Sequence, residues 1–351
     1  MRYRFHLCLL FLGLVQLVSF CVCSGAFGFG WNDYKKRFLS SDGRIVDFYQ
    51  NKISHSEGQA YGLLLAVAND DKQAFDSIWH WTKSNLQLRK GDKLFCWSWG
   101  KRPNGSWQVI DYNNAADGDV LIAWALYLGW KKWKDPCFEQ AAKEIAHSIR
   151  KQLVITKDGS SMILPGYYGF VDGKDLVINP SYIIPNAYKD LSQLDRSKEW
   201  KDILACSKRL LEKSRFGLWL LPADWVLLKS DGKTTKLHKK SPRFGYDAWR
   251  VFLYMSWSGG DALFVEGFNR LWSFFKKNRY LPESVNLKKN CVSIKECPAG
   301  AYAALSSFAR AIGRNDVAAD LARMADGKIE YEKDNYFSAS MYLLSKARFF
   351  K

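Results

Sequence analysis

Six stretches of the sequence are apolar on every face, which a helix on the surface of a globular protein is not. Each stretch follows a polar or Gly/Pro-containing turn, and amphipathic segments alternate with them. The apolar stretches begin near Glu57, Asp119, Tyr182, Asp247, Gly300 and Tyr336. The amphipathic segments include 31–39, 72–85, 138–153, 198–213, 262–277 and 316–325. Six buried helices, each paired with an amphipathic one, predict an all-α fold of the (α/α)6 barrel type, with six inner and six outer helices.

The starts of the inner helices of such a barrel lie on one rim, where we also expect a small β-hairpin. Two strand-like segments, 161–164 and 170–178, flank a Gly-containing turn and predict this hairpin. A solenoid of strict repeats is the alternative, but the spacings are uneven and no motif recurs. At 351 residues the chain is long enough for one large domain or two ordinary ones. Because no linker rich in Pro, Gly or Ser divides it, we expect residues 27–351 to form a single domain.

The amino-terminal segment has the pattern of a secretory signal peptide. Two arginines near the terminus precede a mostly apolar run at 7–23, and small residues follow at 24–26. This order predicts a signal peptide over residues 1–26, cleaved near Ala26. A lone membrane anchor is the alternative, but the run is shorter and less pure than a spanning helix needs. We therefore expect a periplasmic or secreted protein with no membrane span after cleavage.

The cysteines and histidines predict neither a metal site nor a cofactor. Three of the 8 cysteines fall in the signal peptide, which leaves Cys96, Cys137, Cys206, Cys291 and Cys297. An odd number means that at least one has no partner within the chain. Cys291 and Cys297 are close enough in sequence for a disulfide bond to close one loop, and the other pairings stay open. No two pairs have zinc-ligand spacing, and the 5 histidines are scattered.

The chain is strongly basic, which excludes some partners. Its formal net charge is +17, and removal of Arg2 and Arg4 with the signal peptide leaves +15. Nucleic acid is a common partner of such proteins, but export and the lack of a basic helix argue against it. A polycation such as chitosan is also a poor partner for this charge.

Three of the apolar stretches carry an acid at or just before their first turn: Glu57, the pair Asp117 and Asp119, and Asp247. Each acid alone is explained by capping or by the helix dipole, and Ser54 with Glu57 fits a capping box. Three acids on one rim of a barrel form a carboxylate cluster. Like charges over apolar walls push their pKa values apart, which creates an acid and a base at one pH. Glycoside hydrolysis needs such a pair, with aromatic rings to hold the sugars.

Three segments of the sequence resemble the three signatures of glycoside hydrolase family 8. They are SHSEGQAYG at 54–62, ADGDVLIAWA at 116–125 and YDAWR at 246–250. Shorter matches occur at 68–70, 99–101, 179–182 and 223–226. The similarity runs in order from about residue 31 to beyond 302, and within the family it resembles the periplasmic endoglucanases encoded with bacterial cellulose synthases.

The resemblance implies an inverting endo-β-1,4-glucanase on an (α/α)6 barrel, acting on cellulose chains as they are made and exported. Glu57 matches the general acid of the family, Asp247 the general base, and Asp117 the acid that binds and helps distort the sugar at the cleavage point. Arg250, one turn after Asp247, is positioned to keep this base ionised. Inversion needs room for a water, hence carboxyl groups about 6.5 to 9.5 Å apart.

Four aromatic residues are candidates for stacking or hydrogen bonding along the glucan: Trp99, Tyr182, Trp225 and Tyr246. Packing in the core is the alternative for each of them. The sequence departs from the family at Ala116, where Ser or Thr is usual. The hydroxyl group of Ser or Thr at this position would help to orient Asp117 through a hydrogen bond, and Ala116 lacks it.

Two other functions stay open beside the endoglucanase. The first is a non-catalytic glycan-binding component of the export machinery, but such a module needs no acid and base around one bond. The second, within the enzyme class, is a xylanase or mixed-linkage glucanase of the same family. The expected partners are β-1,4-glucan chains, and the cellulose synthase or export complex is a candidate protein partner.

Overall fold

The computed structural model describes residues 28–157, 159–232, 235–239 and 241–349. The predicted signal peptide, 1–26, lies outside these residues. Twelve α-helices occur in the described part of the chain and alternate between two kinds. The odd-numbered helices are α1 (Trp31–Phe38), α3 (Lys72–Leu86), α5 (Pro136–Leu153), α7 (Lys198–Lys213), α9 (Val265–Asn278) and α11 (Asn315–Ile329). The even-numbered helices are α2 (Ser56–Ala68), α4 (Ala116–Trp133), α6 (Pro185–Asp195), α8 (Trp249–Trp257), α10 (Ala299–Ala311) and α12 (Tyr336–Leu344).

Burial separates the two kinds of helix as the sequence pattern predicts, with α6 as the exception. In α2, 11 of 13 residues are buried, and in α4, 14 of 18 are buried. In the amphipathic α5 only 7 of 18 residues are buried. The even-numbered helices contact one another in order, α2 with α4 and so on to α12, and α12 contacts α2 again. The prediction of a mainly helical fold is confirmed.

The helix α6 differs from the other even-numbered helices. The sequence predicts an apolar helix from near Tyr182, but this residue ends a short 3-10 helix, Pro180–Tyr182, and α6 begins at Pro185. Only 4 of its 11 residues are buried. Polar residues on this helix, such as Lys189, are exposed, so its pattern is amphipathic.

Fourteen short strands in the described residues form five antiparallel sheets. The first nine are β1 (Ser54–His55), β2 (Ser98–Lys101), β3 (Trp107–Asp111), β4 (Val154–Lys157), β5 (Ser160–Ile163), β6 (Val171–Asp172), β7 (Asp175–Ile178), β8 (Arg215–Phe216) and β9 (Leu221–Pro222). The last five are β10 (Val226–Leu228), β11 (Thr235–Leu237), β12 (Arg243–Phe244), β13 (Val285–Asn286) and β14 (Cys291–Val292). The sheet orders are β1-β2-β3, β11-β10-β7-β6, β12-β13-β14, β4-β5 and β8-β9.

The predicted hairpin between 161–164 and 170–178 is wrong in its pairing. The strand β5 pairs with β4, and the second segment folds on itself as β6 and β7. Each hairpin closes through a tight turn with a glycine in the left-handed region, at Gly159 (φ +73°) and Gly173 (φ +60°). The chain between the hairpins is held elsewhere, because the carbonyl oxygen of Pro165 accepts a hydrogen bond of 2.9 Å from the backbone N–H of Ala116.

The five cysteines are free thiols in the described structure, so Cys291 and Cys297, which are close enough in sequence to pair, are not joined. Cys137 and Cys291 are exposed, and the other three are buried. Among the described residues, none of the helices is both long and apolar enough to cross a membrane.

Candidate active site

The first turn of α2 places Glu57 at the edge of the core. The helix begins at Ser56, and its N-cap residue makes no side-chain capping bond. The hydroxyl group of Ser54 donates instead to the carbonyl oxygen of Ile45 at 2.5 Å. The capping-box explanation of Glu57 is therefore wrong, and its carboxyl group is available for other contacts.

A glycine brings the start of α4 against the start of α2. A Cβ atom on Gly118 would lie 2.3 Å from Oγ of Ser56 and 3.0 Å from the backbone N of Glu57. Such distances are far inside van der Waals contact, so no larger residue fits without moving the two helices apart. The neighbouring Asp117 is thereby held beside Glu57.

The guanidinium group of Arg250 joins the three predicted acids. One terminal nitrogen, Nη1, donates to the carboxylate of Glu57 and to Oδ2 of Asp117 at 2.9 Å. The other, Nη2, donates to Oδ1 of Asp247 at 2.7 Å. The arginine is 1% exposed, so these are interactions of a buried cation. The cluster therefore contains three carboxyl groups from three helix starts around one positive charge.

The three carboxyl groups differ in their access to solvent. The side chain of Asp117 is 1% exposed, that of Glu57 is 18% exposed, and that of Asp247 is 31% exposed. Because Glu57 and Asp247 bind different nitrogens of Arg250, the guanidinium group separates these two carboxyl groups. A water molecule has its easiest access to Asp247, and a proton is best retained on the deeper pair.

Burial dominates the ionisation of the two deeper acids. It raises the pKa of Glu57, and Asp247 raises it further, while Arg250 acts in the opposite direction. Burial likewise raises the pKa of Asp117 to about 7, with Arg250 opposing this shift and Glu57 adding to it. At neutral pH the cluster is thus able to hold a proton on this pair.

Tyr336 is a site residue that the sequence analysis missed. It begins α12, and its hydroxyl group donates to Oε1 of Glu57 at 3.1 Å. This hydrogen bond stabilises the carboxylate and lowers the pKa of Glu57. The signal that was available is its position at the start of the sixth apolar stretch, which places it on the same rim as the acids.

Replacing Tyr336 with phenylalanine is expected to move the alkaline limb of the pH profile of kcat/KM to higher pH. Loss of the hydrogen bond raises the pKa of Glu57, so this group stays protonated at higher pH. The rate at the optimum should fall by less than about 10-fold, since one hydrogen bond is lost. A matched control is Tyr342→Phe on the same helix, because Tyr342 donates to Asp326 outside the cluster. An unchanged or downward-shifted limb in Tyr336→Phe would contradict this role.

Three of the predicted aromatic residues lie around the acids. The indole nitrogen of Trp225 donates to Oδ2 of Asp247 at 3.1 Å. The ring of Tyr182 lies 5.5 Å from the guanidinium carbon of Arg250, a cation–π distance. Tyr246 is 41% exposed and lies in the lining of the cavity beside the acids. The structure therefore brings these rings to the same place as the carboxyl groups.

Trp99 is not in the lining of the cavity beside the acids. The cavity beside the acids has a volume of about 280 Å³, and the tryptophan in its lining is Trp97. The ring of Trp99 packs instead against Trp81 at 5.2 Å, with the guanidinium group of Arg44 5.0 Å from its centroid. Trp97 was missed by the sequence analysis, and Trp99 stays a prediction for a more distant part of the cleft.

Asp224 holds the loop that carries Asp247. Its Oδ1 atom accepts hydrogen bonds from the backbone N–H groups of Gly245 at 2.8 Å and Ala248 at 3.0 Å. Its Oδ2 atom accepts a hydrogen bond of 3.1 Å from Nε of Arg243. Burial, followed by the nearby Asp247, raises the pKa of Asp224 to about 6. The contacts lie on both sides of Asp247, so Asp224 fixes the position of the predicted base.

Replacing Asp224 with alanine is expected to lower kcat by about 10²-fold with a smaller change in KM, because a misplaced base slows the reaction more than it weakens binding. The free energy of unfolding should fall by about 1–3 kcal/mol, since two buried N–H groups lose their acceptor. Asp224→Asn keeps one acceptor oxygen and should recover most of kcat. Equal kcat values for wild type and Asp224→Ala would exclude the positioning role.

No group of three or more His, Cys, Asp or Glu side chains within the described residues is arranged to hold a metal ion. The acid cluster instead has Arg250 as its central cation. The described arrangement contains two buried carboxyl groups with raised pKa values, a more exposed carboxyl group and flanking rings, which are the kinds of group that glycoside hydrolysis uses.

Comparisons with known proteins agree with this chemistry. A family model described as glycosyl hydrolases family 8 matches residues 10–348. An endoglucanase of Cellulomonas uda is 40% identical over 227 residues, which cover 65% of this chain and 62% of that relative. An endoglucanase of Escherichia coli O157:H7 is 32% identical over 321 residues, which cover 89% of this chain and 85% of the relative.

A solved structure of an endoglucanase also matches most of this chain. The endo-beta-1,4-glucanase of Acetobacter xylinum superposes with a TM-score of 0.79 at 30% identity, covering 90% of this chain and 95% of that one. The family match spans nearly the whole sequence, and the structural match spans nearly the whole described fold. The chain therefore belongs to glycosyl hydrolase family 8 and is a glycoside hydrolase.

Proposed function

We propose that the protein is an inverting endo-β-1,4-glucanase whose general acid is Glu57 and whose general base is Asp247. The observation that carries the proposal is the contact of buried Arg250 with three carboxyl groups of graded exposure. The ring of contacts among the even-numbered helices supports an (α/α)6 barrel as the scaffold. We propose that residues 27–351 form this barrel as a single domain.

The different exposures of Glu57 and Asp247 fit their proposed roles as general acid and general base. Glu57 must keep a proton until the glycosidic oxygen leaves, and its raised pKa supports this. Asp247 is the most exposed of the three, so it is the one best placed to take a proton from an incoming water. The two carboxyl groups bind different nitrogens of Arg250, and the inverting mechanism that we propose requires them to be about 6.5 to 9.5 Å apart, so that a water fits between base and sugar.

Asp117 is proposed to bind the sugar at the cleavage point. It is buried, and its Oδ1 atom accepts a 2.8 Å hydrogen bond from the backbone N–H of Gly118. This bond supplies part of the orientation that the absent hydroxyl group at position 116 would give. With a pKa raised to about 7, Asp117 is able to donate or accept a hydrogen bond with a sugar hydroxyl group near neutral pH.

Rings near the acids are proposed to hold the glucan. Tyr182, Tyr246 and Trp225 lie beside the carboxyl groups, and Trp97 lines the same cavity. Flat apolar rings with a polar edge suit the faces and hydroxyl groups of glucose units. Trp99 is proposed to contact the chain farther along the cleft.

The names of the relatives support the substrate class, since the Escherichia and Cellulomonas proteins are endoglucanases and the Acetobacter protein is an endo-beta-1,4-glucanase. The resemblance to endoglucanases encoded with cellulose synthases supports action on cellulose during its synthesis and export. We propose on this basis a periplasmic or secreted protein that meets nascent glucan chains, with the synthase or export complex as a candidate partner.

The test is hydrolysis of carboxymethylcellulose and cello-oligosaccharides by the wild-type protein. Release of reducing ends with a rapid fall in viscosity would support endo action. NMR spectra recorded in the first minutes should show the α-anomer of the new reducing end, as inversion of a β-linkage requires. A β-anomer formed first would contradict the inverting mechanism.

Two results would favour the alternative functions. Faster hydrolysis of xylan or mixed-linkage glucan than of cello-oligosaccharides would favour the other activities of the family. Binding of cello-oligosaccharides without hydrolysis of any of these glycans would favour a glycan-binding component of the export machinery.

A further inference from the structure

The imidazole ring of His55 lies in the wall of the cavity beside the acids, and the mechanism proposed above does not use it. His55 ends β1 and precedes Glu57 by two residues. It belongs to the lining of the cavity of about 280 Å³, and its side chain is 9% exposed. An imidazole ring in such a wall serves packing alone or also contacts the ligand. The partners of its two ring nitrogens distinguish these roles.

Asp47 binds one nitrogen of this ring. Its Oδ2 atom lies 3.1 Å from Nε2 of His55, and both residues are buried. A carboxylate only accepts hydrogen bonds, so Nε2 carries the hydrogen of this contact and donates it. The Oδ1 atom of Asp47 accepts from the backbone N–H groups of Tyr49 at 2.9 Å and Gln50 at 3.3 Å, which hold the carboxylate in place. A flipped imidazole would present a carbon atom to Asp47, so this contact also fixes the orientation of the ring.

Two aromatic rings fix the plane of the imidazole. The centroid of the Trp97 ring lies 5.7 Å from that of His55, with an angle of 18° between the planes. The centroid of the Tyr336 ring lies 5.9 Å away, with an angle of 17°. Both are stacked geometries. Because the plane and the Nε2 edge of the ring are held, the direction of the other nitrogen, Nδ1, is fixed as well.

The Nδ1 atom of His55 is unpaired and accessible. It has no hydrogen-bond partner among the described residues, since the contact with Asp47 uses Nε2. The unpaired side-chain atoms that are fully buried in this part of the chain are Oγ of Ser56, Nδ2 of Asn179 and Nε1 of Trp257. Nδ1 of His55 is not one of them, so it retains accessible surface. A molecule that fills the cavity is therefore able to reach it.

A hydroxyl group is the partner that fits Nδ1. The hydrogen on Nε2 is present in the neutral and in the protonated ring alike, so Nδ1 accepts a hydrogen bond in the first state and donates one in the second. A hydroxyl group both donates and accepts, and it suits either state. The same lining carries four carboxyl groups, those of Asp47, Glu57, Asp117 and Asp247. Their charges disfavour an anionic ligand at this place.

We propose that His55 is a substrate-binding residue whose Nδ1 atom forms a hydrogen bond with a hydroxyl group of the glucose unit beside the acids. Asp47 is the positioning residue, because it holds Nε2 and so turns Nδ1 towards the cavity. The identity of the ligand as a glucan rests on the function proposed above. The contact itself concerns binding, so it is measurable without hydrolysis.

The test measures the Kd of cellopentaose by calorimetry in the Glu57→Gln protein, so that the ligand stays intact. Two further variants separate the two nitrogens of His55. Glutamine places its amide nitrogen near the position of Nε2 and keeps a donor for Asp47, but it has no polar atom at the position of Nδ1. Asparagine places its amide oxygen near the position of Nδ1 but is too short to reach Asp47. We expect His55→Gln to raise the Kd about 10-fold, the worth of one hydrogen bond, and His55→Asn to stay within about 3-fold.

The stability of the two variants should follow the opposite order. His55→Asn leaves the buried carboxylate of Asp47 without its donor, so it should unfold at a lower urea concentration than His55→Gln. A role in packing alone predicts that the less stable variant also binds more weakly. The opposed orders of affinity and stability therefore separate substrate binding from packing. His80→Gln, at an exposed position on α3, is the control and should leave the Kd unchanged.

A second measurement needs no substitution at His55, so it is unaffected by any effect of the variants on folding. In Glu57→Gln protein labelled with ¹⁵N-histidine, saturation with cellopentaose should shift the NMR signal of Nδ1 of His55 and leave that of Nε2 nearly unchanged. An unshifted Nδ1 signal in the saturated protein would overturn the proposal.

The outcomes separate this inference from the proposed function. Weaker binding by His55→Asn than by His55→Gln, or an unchanged Kd in both, would overturn the role of Nδ1 even if the wild-type protein hydrolyses cellopentaose. A wild-type protein that binds cellopentaose without hydrolysis, with the expected order of Kd values in the variants, would support the role of His55 and contradict the proposed endoglucanase activity.

Discussion

Replacing Glu57 with glutamine is expected to lower kcat on cello-oligosaccharides by about 10²-fold or more while KM changes little. Glutamine has nearly the same shape and is able to accept the hydrogen bond from Tyr336, but it has no acidic proton for the leaving oxygen. The measurement is steady-state hydrolysis of cellopentaose at the pH optimum of the wild-type protein. An isosteric change at this position separates proton donation from binding.

The nature of the leaving group gives this prediction a sharper readout. The leaving oxygen of a 2,4-dinitrophenyl cellobioside needs little protonation on cleavage, so the loss of kcat in Glu57→Gln should be much smaller for this substrate than for cellopentaose.

A matched control is Glu332→Gln, since Glu332 is a half-buried carboxylate that binds the backbone N–H of Ala299 outside the cluster. We expect near wild-type kcat for this variant. Equal losses on both substrates in Glu57→Gln would mean that Glu57 has a role other than proton donation.

The sequence predicts the helices well because burial of a helix is recorded in its own residues. The apolar run of α2 has no polar face, and that of α5 recurs at helical spacing, so each class of helix is recognisable locally. The pairing of β5 was not recognisable in this way. It depends on tight turns at Gly159 and Gly173, and on a connecting segment fixed by the distant start of α4.

The acids of the site were predictable, whereas most of their partners were not. Glu57 and Asp247 stand at the starts of apolar helices, and this position is visible in the sequence. The contact between Tyr336 and Glu57 joins residues 279 positions apart, and no local pattern predicts it. Asp224 lies in a segment that carries the family resemblance, so a signal was present, but its bonds to Gly245 and Ala248 required the folded loop.

Arg250 shows the same division between local and distant contacts. Its contact with Asp247 follows from a spacing of three residues along the chain, and the sequence analysis predicted a pairing between them. Its contacts with Glu57 and Asp117 span 193 and 133 positions and depend on how three helices meet. The arginine therefore has a larger role than the sequence indicates, because it compensates the charge of the whole cluster.

Replacing Arg250 with methionine is accordingly expected to lower the free energy of unfolding by about 3–5 kcal/mol at pH 8. Methionine fills part of the space but leaves three carboxyl groups without their cation. The loss should be clearly smaller at pH 5, where these groups are able to protonate instead. The measurement is urea-induced unfolding of wild type and variant at both pH values, with kcat expected to fall together with stability.

The sign of this pH dependence follows from the pKa values of the deeper acids. The pKa of Asp117 is raised to about 7 in the folded protein, so folded Asp117 binds more protons than unfolded Asp117 between about pH 4 and 7. The stability contribution of such a group falls as the pH rises through this window. Arg250 lowers the pKa of both Glu57 and Asp117, so its removal raises them further and extends the window upward. The difference between wild type and Arg250→Met therefore grows with pH.

A second arginine provides the control for this prediction. Arg150 binds Asp195 at 2.9 Å and Glu199 at 3.3 Å, but at a partly exposed site. The pKa of Glu199 is lowered there by hydrogen bonds from Ser197 and the backbone, so this carboxylate stays ionised at both pH values. Arg150→Met should lower the free energy of unfolding by about 1 kcal/mol or less at both pH 5 and pH 8.

A double variant tests the same point. Adding Asp117→Asn to Arg250→Met should restore part of the stability at pH 8, because one uncompensated charge is removed. An equal loss for Arg250→Met at the two pH values, with no recovery in the double variant, would show that Arg250 does not control the ionisation of the cluster.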